Sequence, residues 1–242
     1  MVTVSTLAEN YARVEQQIAA ACRAAGRSRT EVAMIAVTKM HPAALVEEAF
    51  ALGMRKLGEN RVQEWQGKRA ELSTAALEAL EAHLIGHLQS NKSARAVELF
   101  QSVDTLDSLK LAQRLNTAAS EASGEVFPVV LEIKLSEEES KEGLAPDGPE
   151  LQQLLEQLPD LRSLRLRGLM TVPPFMQDME AVRPYFRRLR DLRDRLAQAH
   201  PRLSFETLSM GMSHDFAVAI EEGSTEIRIG TALFGARTPA TV

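Results

Sequence analysis

A (β/α)8 barrel is the fold the sequence predicts: a single α/β domain over residues 1–242, with one extra helix at its N-terminus. Three observations lead there. Segments of strand and helix periodicity alternate eight times after one leading helix, and such alternation implies parallel strands joined by crossover helices. The length of 242 residues suits eight such units. The two loops best suited to holding an anion, Ser209–Ser213 and Arg228–Gly235, follow the seventh and eighth strands, where barrels commonly bind phosphate. A doubly wound open sheet is the competing architecture.

The elements follow in order. Leu7, Tyr11, Val14, Ile18, Cys22 and Ala25 recur at three- and four-residue spacing and predict the leading amphipathic helix, which Gly26 ends. Val32–Val37 is the first strand. A helix runs from Pro42, well placed in a first turn, to about Leu52. Met54–Leu57 is the second strand and Asn60–Leu72 a helix. His83–Ile85 is the third strand, with a helix over Ser90–Leu99. Phe100–Val103 is the fourth, and Leu106, Leu109, Ala112, Leu115 and Ala119 mark the next helix. Val126–Ile133 is the fifth, followed by the helix Leu151–Leu158. Leu164–Met170 is the sixth, followed by the helix Val182–Ala199. Phe205–Leu208 is the seventh, and a helix over Asp215–Glu221 leads to the eighth, Glu226–Ile229. The polar stretch Ser136–Pro149 reads as a solvated loop.

Composition narrows the function classes. The hydrophobic fraction of 45% and charged fraction of 25% are those of a soluble globular protein. A net charge of −5 provides no global basic field for nucleic acid. The arginine-rich helix Arg183–Arg195 reads as a solvated face, with Arg187/Asp191 and Arg190/Asp194 as i,i+4 pairs. One cysteine, Cys22, excludes an intramolecular disulfide and a cysteine-based zinc site, and it reads as an inert residue on an apolar helix stripe. His41, His83, His200 and His214 lack metal-ligand spacing and read as surface or packing residues. No metal is expected. No signal-peptide core or membrane-length apolar run is visible, so a cytoplasmic address is expected.

In a barrel the active site is built from residues just after each strand. Those positions give Lys39 after strand one, Gly58-Glu59-Asn60 after strand two, and Gly86-His87 after strand three. Asp104-Thr105 follows strand four, Lys134 closes strand five and Thr171 follows strand six. Ser209–Ser213 follows strand seven and Gly230-Thr231 strand eight. A lysine at the edge of a packed core is desolvated, which lowers its pKa and makes its amine a better nucleophile toward a carbonyl. Glycine at 230 lets backbone N–H groups approach phosphate oxygens, and Ser213 and Thr231 add hydroxyl donors. A Schiff-base lysine with a separate phosphate cradle points to pyridoxal 5'-phosphate (PLP), which carries one aldehyde and one phosphate. Asn60 reads equally as a helix N-cap and a site residue, and His87 as a pocket donor or a loop residue. Met210 is expected to pack the pocket.

The segments Ala36–Lys39, Gly58–Glu64, His83–Lys92, Arg167–Pro174, Leu208–Ser213 and Ile227–Gly235 together resemble the YggS/PROSC family, the pyridoxal phosphate homeostasis proteins, from Val32 to Arg237. The resemblance implies a barrel of the alanine racemase N-terminal type (fold type III). It implies PLP as a Schiff base on Lys39, Ser213, Gly230 and Thr231 around the phosphate, and Arg228 facing the pyridine nitrogen. One departure is visible: Ile133-Lys134 stands where the family often has Val-Asn, placing an extra cation near the site mouth. Arginine on a ring nitrogen opposes its protonation, so the cofactor would be held but only modestly activated.

The expected function is therefore intracellular PLP homeostasis and amino-acid balance, without substantial catalysis. The alternatives are a PLP-dependent amino-acid racemase and a cofactor-free lysine aldolase. Racemases of this fold add a C-terminal β domain whose tyrosine acts on the opposite face of the substrate. The chain ends at Val242, and its tyrosines, Tyr11 and Tyr185, lie on predicted helices away from the mouth, so neither feature is expected. The expected partners are PLP, amino acids and PLP-dependent apoenzymes, not nucleic acid or membrane, and the expected state is a monomer.

Overall fold

The structure is a computed structural model that describes residues 6–122, 125–136 and 142–235. Eight parallel strands close into a barrel in sequence order: β1 (Ala33–Val37), β2 (Lys56–Glu59), β3 (Glu81–Leu84), β4 (Ser102–Leu106), β5 (Phe127–Glu132), β6 (Leu164–Met170), β7 (Thr207–Met212) and β8 (Glu226–Ile229). The seam pairs the first strand with the last, with Ala33 opposite Glu226, Ile35 opposite Arg228 and Ala36 opposite Ile229. Around the barrel run α1 (Leu7–Ala24), α2 (Ala43–Ala51), α3 (Val62–Arg69), α4 (Thr74–Ala79), α5 (Ser93–Leu99), α6 (Leu109–Ala122), α7 (Pro149–Gln157), α8 (Arg183–Ala199), α9 (Phe216–Glu221) and the short α10 (Thr231–Phe234). None of the described helices is long and apolar enough to cross a membrane.

Strand alternation divides the side chains into two layers. Leu57, Leu84, Val103, Leu131, Leu169, Leu208 and Ile227 join the apolar layer under the helices. The opposite faces turn inward and carry unusual polarity for a barrel, with His83, Asp104, Ser209 and Arg228 bonded to one another in pairs. The leading helix α1 begins with a Thr6–Glu9 capping box and buries Val14, Ile18 and Cys22. Its Asn10 donates to the Leu233 carbonyl (2.8 Å), tying it to α10.

Several boundaries differ from the sequence reading. β2 runs on to Glu59, because Gly58 and Glu59 pair with His83 and Leu84. Asp104 and Thr105 lie within β4 rather than after it, and β5 ends at Glu132, two residues before Lys134. The segment Ser209–Met212 is strand, not loop: Gly211 reads as a turn signal, but at φ 97° it is accommodated by a register shift between β7 and β8. The helix expected over Asn60–Leu72 stops at Arg69, and α4, capped by Ser73, follows it. The expected pairs within α8 are replaced by a convergence of Arg183, Arg187 and Arg190 on Glu222 at the end of α9, at 3.0–3.1 Å. Of the loop after β5, residues 137–141 lie outside the described residues; Ile133 bridges to Leu144 on its far side.

Candidate functional site

Parallel closure places every strand's C-terminal end on one face, and the predicted residues gather there. Lys39 follows β1 in a turn closed by His41 N–H donating to the Thr38 carbonyl (3.0 Å). Met40 takes a left-handed φ of 63° in that turn. The turn is held from below by groups the sequence reading did not assign. Thr38 Oγ1 donates to Glu59 Oε1 (2.7 Å), Lys68 Nζ donates to the Thr38 carbonyl (2.7 Å) and to Glu59 Oε1 (2.6 Å), and Met40 N–H donates to Glu64. Glu59 and Lys68 are buried, and burial pushes the Glu59 carboxyl up against the opposing pull of Lys68. The Glu64/Lys68 spacing of four on one helix was the available signal.

Across the seam, Ser213 Oγ accepts from the N–H groups of Gly230 and Ala232, each at 3.1 Å, at the start of α10. Asp215 fixes this loop, its Oδ1 accepting from Met212 N–H (2.6 Å). Thr231 is exposed beside it. The lysine turn and this cradle are neighbours. Gly230 faces Val37, a β-carbon built on it lying 3.5 Å from Val37 Cβ, and the His41 ring packs on Phe234 of α10 with centroids 5.1 Å apart.

Arg228 lies fully inside the barrel on β8, donating from Nη1 to Ser209 Oγ (2.7 Å) and from Nη2 to the Thr171 carbonyl (2.8 Å). Burial pulls its guanidinium below the usual arginine range, opposed by Glu226, Asp104, Glu132 and Asp215. Asn60 and His87 line a hollow of about 250 Å³ on the other side of the mouth. The loops carrying them touch: a β-carbon on Gly86 would lie 2.5 Å from the Asn60 carbonyl oxygen. The buried Asn60 Oδ1 has no partner among the described residues. His87 pairs with Asp107 (3.1 Å) and Glu142 (2.8 Å). Met210 does not join this group. It follows the inward-facing Ser209 on β7 and sits in the apolar layer, fully buried.

Two further features escaped the sequence reading. Glu132, the last residue of β5, has its carboxyl raised to about 7 by burial and by Asp107, with Arg228 opposing. His83, read as a surface or packing residue, is buried inside the barrel with Nδ1 2.8 Å from Asp104 Oδ2, a pairing that reading did not include. Neither carries a local sequence signal, because their partners lie on other strands.

The family model for the alanine racemase N-terminal domain matches residues 4–238. A pyridoxal phosphate homeostasis protein of Pseudomonas aeruginosa is 47% identical over 97% of both chains, and one of Escherichia coli is 39% identical over 97% of this chain and 98% of its own. The chain belongs to the pyridoxal phosphate homeostasis protein family. A solved structure of PipY from Synechococcus elongatus with PLP bound superposes with a TM-score of 0.84 at 40% identity, covering 95% of this chain and all of that one. An alanine racemase of Clostridium difficile shares the fold at 17% identity (TM-score 0.73), with this chain covering 61% of its length.

Proposed function

We propose that the protein binds PLP at the C-terminal mouth of the barrel, covalently through Lys39, and serves cofactor homeostasis and amino-acid balance rather than turnover of a substrate. The observation that carries the reading is the contact between the Lys39 turn and the Ser213–Gly230 cradle across the β1–β8 seam. That contact supports reading the Lys39 amine and the Ser213–Gly230 loop as one site, and PLP presents an aldehyde and a phosphate together. The PLP-bound PipY relative and the names of the homeostasis relatives support it.

The donor set fits the group. Ser213 Oγ, oriented by accepting the Gly230 and Ala232 N–H groups, keeps its own O–H to donate, and with the Thr231 hydroxyl it suits a phosphate. A guanidinium has five N–H donors, and the two bonds of Arg228 to described residues leave others to reach a ring nitrogen. The unpartnered Asn60 amide oxygen marks a polar position that a ligand or a water bound with it would satisfy.

When bound, the cofactor supplies an electrophilic aldehyde and a ring able to take up electron density. Lys39 takes the aldehyde carbon. Ser213, Gly230 and Thr231 hold the phosphate. Arg228, always a cation, opposes protonation of the ring nitrogen and so limits carbanion stabilisation. That restraint favours storage and exchange over proton abstraction. Borohydride treatment followed by mass spectrometry is expected to find a phosphopyridoxyl group on Lys39. A label on another lysine, or none in cofactor-saturated protein, refutes the reading.

A further inference from the structure

Below the mouth, the barrel interior holds ionisable groups that the cofactor reading leaves without a role. Asp104 on β4 accepts from Ser102 and lies 2.8 Å from His83 Nδ1. Glu226, on β8, brings a carboxylate oxygen to the same place, with one ligating atom from each of His83, Asp104 and Glu226 lying within 4.8 Å of the others. All three side chains are buried. Their satisfaction differs. Each oxygen of Asp104 has a hydrogen-bonding partner, whereas Glu226 Oε1 has none among the described residues and its carboxylate has the Ser209 hydroxyl as its neighbour.

The groups that face Glu226 are Asp104 from β4, His83 from β3, Lys56 from β2 and Ser209 from β7. Lys56 is already paired with Glu81. Ser209 accepts from Arg228, two residues further along β8. The acids acting on Arg228 are Glu226, Asp104, Glu132 and Asp215. A divalent cation does not suit the cluster, because Lys56 Nζ stands 3.4 Å from His83 Nε2 and Arg228 lies alongside. A proton does suit it. Two buried carboxylates at this separation do not both ionise when the donors favour only one of them.

We propose that Glu226 is held as the neutral acid beside an ionised Asp104, and that this pair is the positioning element for Arg228. It places one negative charge, not two, beneath the guanidinium. A second charge would pull Arg228 toward Glu226, and loss of the first would leave Glu132 and Asp215 as its remaining acidic neighbours. Burial acts in the same sense: it pushes Glu226 up, with Asp104 adding to the effect, while His83 and Ser102 hold Asp104 below its usual range. The consequence at the ring nitrogen rests on the cofactor reading; the stored proton rests on the protein alone.

Infrared difference spectra between the wild type and Glu226→Gln at neutral pH, in which the half-protonated Glu132 carboxyl cancels, are expected to show a protonated-carboxyl carbonyl band present only in the wild type. PLP-loaded Glu226→Gln should keep the wild-type visible spectrum and its pH dependence, since glutamine imitates the neutral acid. Asp104→Asn should shift that spectrum and weaken PLP binding roughly tenfold, with Asp104→Glu restoring part of both. The proposal is overturned if the difference spectrum shows no such band, or if Glu226→Gln shifts the visible spectrum as Asp104→Asn does. Should Asp104→Asn fail to fold, the band and the Glu226→Gln spectrum still decide. Wild-type protein that takes up no PLP overturns the cofactor reading and the ring half of this proposal, while the band still decides the proton.

Discussion

Ser213 spends its hydroxyl oxygen on two backbone N–H groups, so on the proposed reading its removal acts twice: it takes away a phosphate donor and frees the cradle that the donor organises. Replacing Ser213 and Thr231 by alanine is expected to weaken PLP binding, each lost charge-assisted donor costing roughly 1.5–3 kcal/mol. Titration with PLP measures it, and unchanged affinity in the double variant would put the phosphate elsewhere. Glu132 gives a prediction in pH. Its folded-state pKa is raised from 4.5 to about 7, so the folded protein holds this proton more tightly than the unfolded chain. Its unfavourable contribution is therefore absent below 4.5, grows as pH rises toward 7, and is complete above it. Glu132→Gln should leave stability at pH 4 nearly unchanged and raise it at pH 8 by about 2 kcal/mol, after discounting for partial exposure. Denaturant melts at the two pH values test the sign; equal shifts at both would contradict it.

The elements are held by close approach as much as by apolar burial. At Gly168 in β6, an added β-carbon would sit 1.8 Å from the Thr207 carbonyl oxygen of β7, and the atom in the way is backbone. Gly168→Ala therefore cannot be relieved by a rotamer change. It is expected to part β6 from β7 and to cost about 4 kcal/mol or more. Circular dichroism and soluble yield would register it, and a melting curve like that of the wild type would show that the two strands can separate at little cost. The same scale explains what was legible in the sequence. Leu164–Met170 and Glu226–Ile229 were read to the residue because their apolar patterns stop at clear polar or glycine positions. β7 was cut short because Gly211 mimics a turn. α4 was missed because Thr74–Ala79 is too short to show a period. That Lys39, Asn60, Ser213 and Gly230 lie at one end of the barrel was legible because a barrel gathers strand ends, so element order alone places them there. His83, Asp104, Glu226 and Glu132 were not, because only strand register reveals which side chains meet inside.

At the scale of the whole molecule, the proposed reading has Lys39 as the nucleophile at the mouth and Arg228 as a cation toward the ring. Neither tyrosine serves there: Tyr11 belongs to α1 and Tyr185 to α8, both on the outer shell. Racemisation needs proton donors on both faces of a carbon. PLP-loaded protein incubated with L- or D-alanine in deuterated water is therefore expected to show no rapid α-proton exchange and no conversion between enantiomers. Fast turnover of one into the other would promote the racemase reading. The seam has a further consequence, in time rather than in space. Lys39 follows the first strand, while Gly230 and Thr231 follow the last, and β1 finds its partner only when β8 arrives. During synthesis the lysine leaves the ribosome long before the cradle exists. Competence to capture the ligand is thus acquired in the same step that closes the cylinder, and a nascent chain cannot sequester a reactive aldehyde tightly before it is complete.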